Sequence, residues 1–266
     1  MRRRDTSSDV AERLRAAGCV WAEDEAALLQ AGASSPEELE SWVARRAAGE
    51  PVELVVGWVE FLGRRLVVAP GVFVPRRRTE LLARTTLARA AAPVVVVEMC
   101  CGVAPVAAVL EGTTAEVHAA DLSPVALACA RRNAPGAVLH TGDLYDALPP
   151  ELLGRVGVLA ANAPYVPTDR IAWMPAEARD HEPRTALDGG ADGVDLHRRL
   201  AADATHWLGP GGVLLVETST AQAALTVAAM DAAGLASEVV VDDDVEGCLA
   251  VGVKDPGDVS RRTAPA

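Results

Sequence analysis

An α/β fold is predicted, built on a mostly parallel sheet covered on both faces, with a small helical region ahead of it. Three observations carry that reading. Strand-length apolar runs alternate with helix-length segments from about residue 76 to 254. Proline and glycine punctuate those segments where helices start and stop. Four successive runs close on a polar side chain, Glu98, Asp121, Asp143 and Asn162, and such a row along one sheet edge is a site pattern that no single member establishes.

Taken in order, residues 9–50 read as helical. Ser35-Pro36-Glu37-Glu38 joins an N-cap, a first-position proline and a capping-box glutamate. Arg45-Arg46, Gly49 and Pro51 mark the stop. Residues 52–74 change character: Leu54, Val55, Val56, Trp58, Val59 and Phe61, a Gly63 turn, then Leu66, Val67 and Val68 read as a hairpin. Strands are expected at 94–99, 115–120, 137–141, 156–161, 213–218, 236–241 and 248–253, and helices at 78–91, 105–111, 123–134, 193–208 and 220–233. Gly209-Pro210-Gly211-Gly212 is expected to end one helix sharply. No helix separates the last two strands, so they should pair antiparallel at one end of the sheet. The chain thus divides into a helical region at 1–51 that reads as a lid or partner-docking module, a β-hairpin linker at 52–75, a main domain at 76–254 and a loose tail at 255–266.

With 266 residues, half of them hydrophobic, the chain can bury a full core. A net charge of −12 disfavours unspecific attraction to nucleic acid. Five Trp, two Tyr and two Phe are too few for a stacking groove, so no direct nucleic-acid binding is expected. Arginine displaces lysine almost completely, Lys254 being the sole lysine, which reads as coding bias. Cys19, Cys100, Cys101, Cys129 and Cys248 form no CxxC pair and no zinc spacing; reduced thiols in a cytoplasmic protein are expected, and no metal. Met1-Arg2-Arg3-Arg4-Asp5 leads into no hydrophobic stretch, so no secretory signal is expected, and the longest apolar runs are too short for a membrane span.

Asn162-Ala163-Pro164-Tyr165 is the most informative stretch. It follows the apolar run Val156 to Ala161, and an Asn there projects into the crevice where open sheets bind ligands. Pro164 holds Ala163 extended, giving its carbonyl a set direction. The Asn162 side-chain oxygen and the Ala163 carbonyl can together accept both hydrogens of one NH2 group and turn its lone pair toward an electrophile. Alone, these four residues read better as a plain Asn-x-Pro turn.

Val94–Met99 leads into Cys100-Cys101-Gly102-Val103-Ala104, and Pro105 opens a helix. This is where nucleotide-binding folds bring backbone to a ligand, yet only Gly102 stands for the glycine fingerprint. That is weak for NAD, whose pyrophosphate wants the complete loop, and less damaging for S-adenosylmethionine. Glu98 then belongs near the amino group and sulfonium side of such a cofactor. Asp121, about twenty residues past the turn, is placed to accept two ribose hydroxyls. Asp143, in Thr141-Gly142-Asp143-Leu144, can accept an adenine amino group or serve as a turn aspartate.

With these pieces in order, the chain resembles the protein-(glutamine-N5) methyltransferases, which modify translation release factors. The resemblance runs from about 45 to 253 through Arg45-Arg46-Ala47-Ala48-Gly49-Glu50-Pro51, Glu60-Phe61, Val74-Pro75-Arg76 with Thr79-Glu80, and Asp121-Leu122-Ser123-Pro124 with Ala126-Leu127. It continues through Asn162-Ala163-Pro164-Tyr165, His181-Glu182-Pro183, Ala186-Leu187-Asp188-Gly189-Gly190-Ala191-Asp192-Gly193 and Glu217. It implies a Rossmann-like, seven-stranded, S-adenosylmethionine-dependent methyltransferase fold. It also implies Asn162 and the Ala163 carbonyl holding the acceptor amide of a protein glutamine, Pro164 and Tyr165 shaping the pocket, and Asp121 taking the ribose. Cys100, Cys101 and Gly102 would pass along the methionine portion, with Asp143 and Leu144 at the adenine end. The helical N-terminus would resemble the family's substrate-docking domain. Three features depart from the family: Ala163 replaces a proline, a loss of rigidity worth about 1 kcal/mol; the turn keeps only Gly102; and Arg77-Arg78 replace Pro-Glu, reversing charge beside the site entrance.

No dedicated base is required before such a transfer, since the product can lose its extra proton afterward. His181 therefore reads as a loop or support residue, and Tyr165 as a packing wall, its hydroxyl being too basic to leave easily. Two other readings are an N-methyltransferase acting on a nucleobase or small-molecule amino group, and a cofactor-binding relative without catalysis. Asp242-Asp243-Asp244 reads as a surface turn, because three consecutive side chains do not converge as ligands.

Overall fold

The computed structural model describes residues 6–90 and 93–257. The opening residues used in the signal reading, and the expected tail beyond 257, lie outside them.

Three helices come first: α1 (Thr6–Ala16), α2 (Ala22–Gly32) and α3 (Pro36–Ala47). Ser35 caps α3, its Oγ accepting from Glu38 N at 3.2 Å, with Pro36 at the first helical position. The capping glutamate differs from expectation by one residue: Glu38 Oε2 accepts from the Ser34 amide (2.7 Å), not from Ser35. Val10, Leu14, Ala26, Leu29, Val43 and Val55 make these helices a small core of their own.

The hairpin expected over 52–75 is shorter than predicted. Val52–Val56 forms a helical turn, α4, and only β1 (Trp58–Phe61) and β2 (Arg64–Val67) pair antiparallel. The β-branched run gives way because Pro51 starts a turn, Gly57 ends it at φ 81°, and a helical turn sends Leu54 and Val55 into two different cores.

The main domain alternates as predicted: α5 (Thr79–Arg89), β3 (Val95–Met99), α6 (Pro105–Val109), β4 (Glu116–Asp121), α7 (Pro124–Asn133), β5 (Val138–Thr141) and β6 (Val156–Ala161). After β6 come 3-10 turns, α8 (Ala176–His181), α9 (Asp195–Trp207), β7 (Leu208–Glu217), α10 (Ala223–Ala232), β8 (Ala236–Asp242) and β9 (Gly247–Val253). The seven-stranded sheet runs β5-β4-β3-β6-β7-β9-β8, with β9 antiparallel to both neighbours and the other interior pairs parallel. Period-two alternation splits its side chains: Val96, Ala119, Val158, Ala160 and Leu215 enter one core, and Val97, Met99, Ala120, Leu159, Leu214 and Val216 the other. β7 starts five residues earlier than expected. Gly209 to Gly212 belong to its irregular beginning, where the register jumps from Val156↔Leu208 to Val158↔Val213. Lys254, the sole lysine, is buried, and its Nζ donates to the Thr205 and Leu208 carbonyls at the end of α9.

Strand order reverses between β3 and β6, β3 leading outward to β4 and β6 to β7. The crevice beyond their carboxyl ends is where such a sheet binds ligands.

Candidate active site

That crevice holds a cavity of ≈ 1340 Å³, counting its solvent-open mouth. Its lining includes Glu98, Cys100, Cys101, Gly102, Asp121, Asp143, Leu144 and the whole Asn162-to-Tyr165 stretch. Every residue singled out from the sequence as a site candidate therefore borders one space.

On the β3–β5 side the turn after β3 is wound tightly. Cys100, Gly102 and Ala104 have φ of 53°, 54° and 60°. Two side-chain-bearing residues thus adopt the left-handed conformation that favours glycine, at a cost of about 1–2 kcal/mol each. Asp121 ties the turn down: Oδ2 accepts from Gly102 N and Oδ1 from Ser123 N, both at 2.8 Å. Burial raises the Asp121 pKa, and those amides oppose the rise. Each oxygen keeps lone-pair capacity toward the cavity.

Glu98 is almost wholly buried, and its two oxygens accept from Val106 N (3.1 Å) and Ala107 N (2.7 Å) at the start of α6. Burial pushes its carboxyl up to about 8 against the pull of those amides. Its first role is therefore to anchor α6 to β3, with its remaining surface on the cavity. Asp143 is half committed, Oδ2 accepting from Arg199 at 2.8 Å. The thiol of Cys100 is pushed up to about 12 by burial, with Asp121 and Asp143 adding to the rise, and all five cysteines are free. Among the described residues no cluster of His, Cys, Asp or Glu is placed to hold a metal.

The β6–β7 side is built around the loop after β6. Val166 N donates to Leu187 O (3.0 Å) and Gly189 N to Val166 O (2.8 Å). Gln222 Nε2 adds bonds to Tyr165 O (2.7 Å) and Asp192 O (3.0 Å). The glycine motif at 189–193 exists for this contact: a Cβ on Gly189 would lie 2.7 Å from Tyr165 Cα, and Gly193 holds φ +79°. Asn162 Nδ2 donates to Thr79 Oγ1 at 3.3 Å, which orients the amide plane, and among the described residues Oδ1 has no hydrogen-bond donor. Ala163 has no exposed surface, so its carbonyl becomes available to a ligand only when the loop shifts. Tyr165 Oη donates to Glu217 Oε1 (3.3 Å), and burial raises its pKa further, consistent with a wall rather than a proton donor.

Several residues around this loop were not assigned a role from the sequence. Glu182 follows His181 and is the buried member of that pair; its Oε1 accepts from Val74 N (3.1 Å) and Arg76 (2.6 Å). Glu217 ends β7 with 1% exposure. His197 on α9 bonds Thr226 through Nδ1 (2.8 Å), and burial lowers its pKa to about 4 while the neighbouring Ala163 carbonyl opposes. Glu182 Oε2, Glu217 Oε2 and His197 Nε2 are the buried side-chain polar atoms without a hydrogen-bond partner among the described residues. Glu182 and Glu217 lie in motifs that the sequence exposes; His197 lies in a polar helix pattern that offered no signal.

The sheet order, the crevice and its acidic strand ends define a methyltransferase of the S-adenosylmethionine-dependent type. The fold is shared with a methyltransferase of known structure from Pyrococcus furiosus, at a TM-score of 0.56 and 15% identity, covering 80% of this chain and 97% of that one. No protein-family model matches the chain. A release factor glutamine methyltransferase from Geobacter sulfurreducens is 39% identical over 198 residues, 71% of this chain and 69% of that protein. A 4-amino-L-phenylalanine/4-methylamino-L-phenylalanine methyltransferase from Streptomyces pristinaespiralis is 38% identical over 210 residues, 75% of this chain and 71% of that protein. The chain belongs to the release factor glutamine methyltransferase family.

Proposed function

We propose that this protein transfers a methyl group from S-adenosylmethionine to the side-chain amide nitrogen of a protein glutamine, with a peptide chain release factor as the substrate. The observation that carries the reading is Asn162: its amide is pinned by Thr79, its oxygen has no donor among the described residues, and it borders a cavity shared with the Asp121 turn.

The residues present fit the cofactor. Asp121 retains acceptor capacity for a diol, and the left-handed turn at 100–104 keeps the backbone close without a bulky side chain. Asp143 and Leu144 border the far end, where an adenine would lie. Bound there, S-adenosylmethionine supplies a methyl group activated by its sulfonium, whose S–C electron pair stays on sulfur as the N–C bond forms.

An amide nitrogen is a poor nucleophile because its lone pair is conjugated with the carbonyl. The Asn162 oxygen and, once uncovered, the Ala163 carbonyl pull on its two N–H bonds. Each interaction strengthens as positive charge develops on nitrogen. Tyr165, held by Glu217 and Gln222, closes the wall, and the extra proton leaves to solvent after transfer. No base is required. No helix among the described residues is long and apolar enough to cross a membrane, and the protein is proposed to act in the cytoplasm.

Incubation with labelled S-adenosylmethionine and a purified release factor, followed by mass spectrometry, tests the activity. A single methyl on one glutamine is expected. A second reading is transfer to the amino group of a small molecule that carries a carboxylate, which the cation Arg78 at the cavity wall could hold. Label appearing only on low-molecular-weight amines would select that reading.

A further inference from the structure

We propose that Arg78 holds a carboxylate of the methyl acceptor, so that the preferred acceptor carries an acid group beside its reacting nitrogen. This rests on the reading of the Asn162 loop as the clamp for that nitrogen.

Two cations line the cavity, Arg76 and Arg78. Arg76 is committed: its guanidinium donates to the buried Glu182 at 2.6 Å and sits 5.2 Å from the centre of the Phe73 ring. Arg78 is not. Its Nε lies 3.5 Å from Glu217 Oε1 and its guanidinium carbon 6.0 Å from the Tyr165 ring centre. The Tyr165 hydroxyl and Glu217 both lie within its reach on one side, and its side chain is 44% exposed on the other. Glu217 thus steadies one edge of the guanidinium while the fork that matches a carboxylate stays open.

Position decides whose carboxylate it takes. Arg78 precedes Thr79, the residue that pins Asn162, and packs on Tyr165 at the end of the same loop. It therefore stands on the β6–β7 side, across the switch point from Gly102, Asp121 and Asp143. A cofactor lying over β3 to β5 leaves this corner to the acceptor.

One chemistry admits two sources, an acidic residue beside a peptide glutamine or the α-carboxylate of an amino acid amine. Both can be measured on the protein saturated with S-adenosylhomocysteine. Calorimetry would compare 4-amino-L-phenylalanine with its methyl ester, and a glutamine peptide bearing Asp with the same peptide bearing Asn. In one of these pairs the acid is expected to bind about tenfold more tightly, and that pair identifies the source. Arg78→Gln should erase the preference and leave S-adenosylmethionine affinity unchanged, with Arg78→Lys intermediate. Equal affinity within both pairs, no binding by any of the four, or a loss of cofactor affinity in Arg78→Gln would overturn the proposal. Acid preference without methyl transfer to any acceptor would instead remove the Asn162 reading and leave the carboxylate site standing.

Discussion

The two halves of the crevice are finished to different degrees. Over β3 to β5, Glu98, Asp121 and Asp143 are each committed to backbone amides or to Arg199. Around the loop after β6, and among the described residues, Asn162 Oδ1 has no hydrogen-bond donor, and Glu182, Glu217 and His197 each bury an atom without a partner. An unpaired buried polar atom costs about 1–3 kcal/mol. A cofactor site that must be ready before the acceptor arrives gains from rigidity. An acceptor site gains from groups whose partners arrive with the substrate, and of these four residues Asn162 and Glu182 border the cavity.

If that division holds, variants in the two halves separate binding from turnover. The largest effect is expected for Asn162→Ala: single-turnover methyl transfer should fall by about 100- to 1000-fold, with cofactor affinity by calorimetry changed little. Undiminished turnover would erase the distinction between the halves.

His197 sharpens the comparison through pH. Its pKa is about 4 when folded, below the ordinary value of 6.5. Between those values the unfolded chain binds more protons, so folding stability contributed by neutral His197 is present above pH 6.5 and lost as pH falls toward 4. The shift corresponds to roughly 3 kcal/mol at most. Denaturant unfolding of His197→Asn should show a flatter acid limb than the wild type; parallel limbs would mean that the ring is not held neutral.

Asp121→Asn removes the anion and sets an NH2 group against one of the two amide donors, Gly102 N or Ser123 N. Cofactor affinity should fall by about tenfold or more, while methyl transfer at saturating cofactor falls far less than in Asn162→Ala. The smallest effect belongs to Tyr165→Phe. Its hydroxyl serves Glu217 and the neighbouring Arg78, so stability should drop by about 1 kcal/mol and the pH profile of turnover should not move. A displaced profile would make Tyr165 a proton carrier after all.

Much of the sheet was legible because each strand's apolar run is bounded by a polar terminal residue or a glycine, and the same residues mark the crevice. Three things were not. Val52–Val56 is β-branched, yet the demand to fill two cores winds it into a turn. Gly209 to Gly212 look like a helix terminator, yet they carry the bulged start of β7, since strand pairing with β6 depends on a partner far along the chain. The support behind Asn162 joins Thr79, Tyr165, Glu217 and Gln222 across more than a hundred residues, and no local spacing announces such a meeting.

The clasp itself can be seen. Solving the protein with S-adenosylhomocysteine and a glutamine peptide should place the glutamine amide nitrogen within hydrogen-bond reach of both Asn162 Oδ1 and an uncovered Ala163 carbonyl, its third face toward the cofactor sulfur. A peptide amide seated elsewhere, with Ala163 still sealed and Asn162 bonded only to Thr79, would contradict the account.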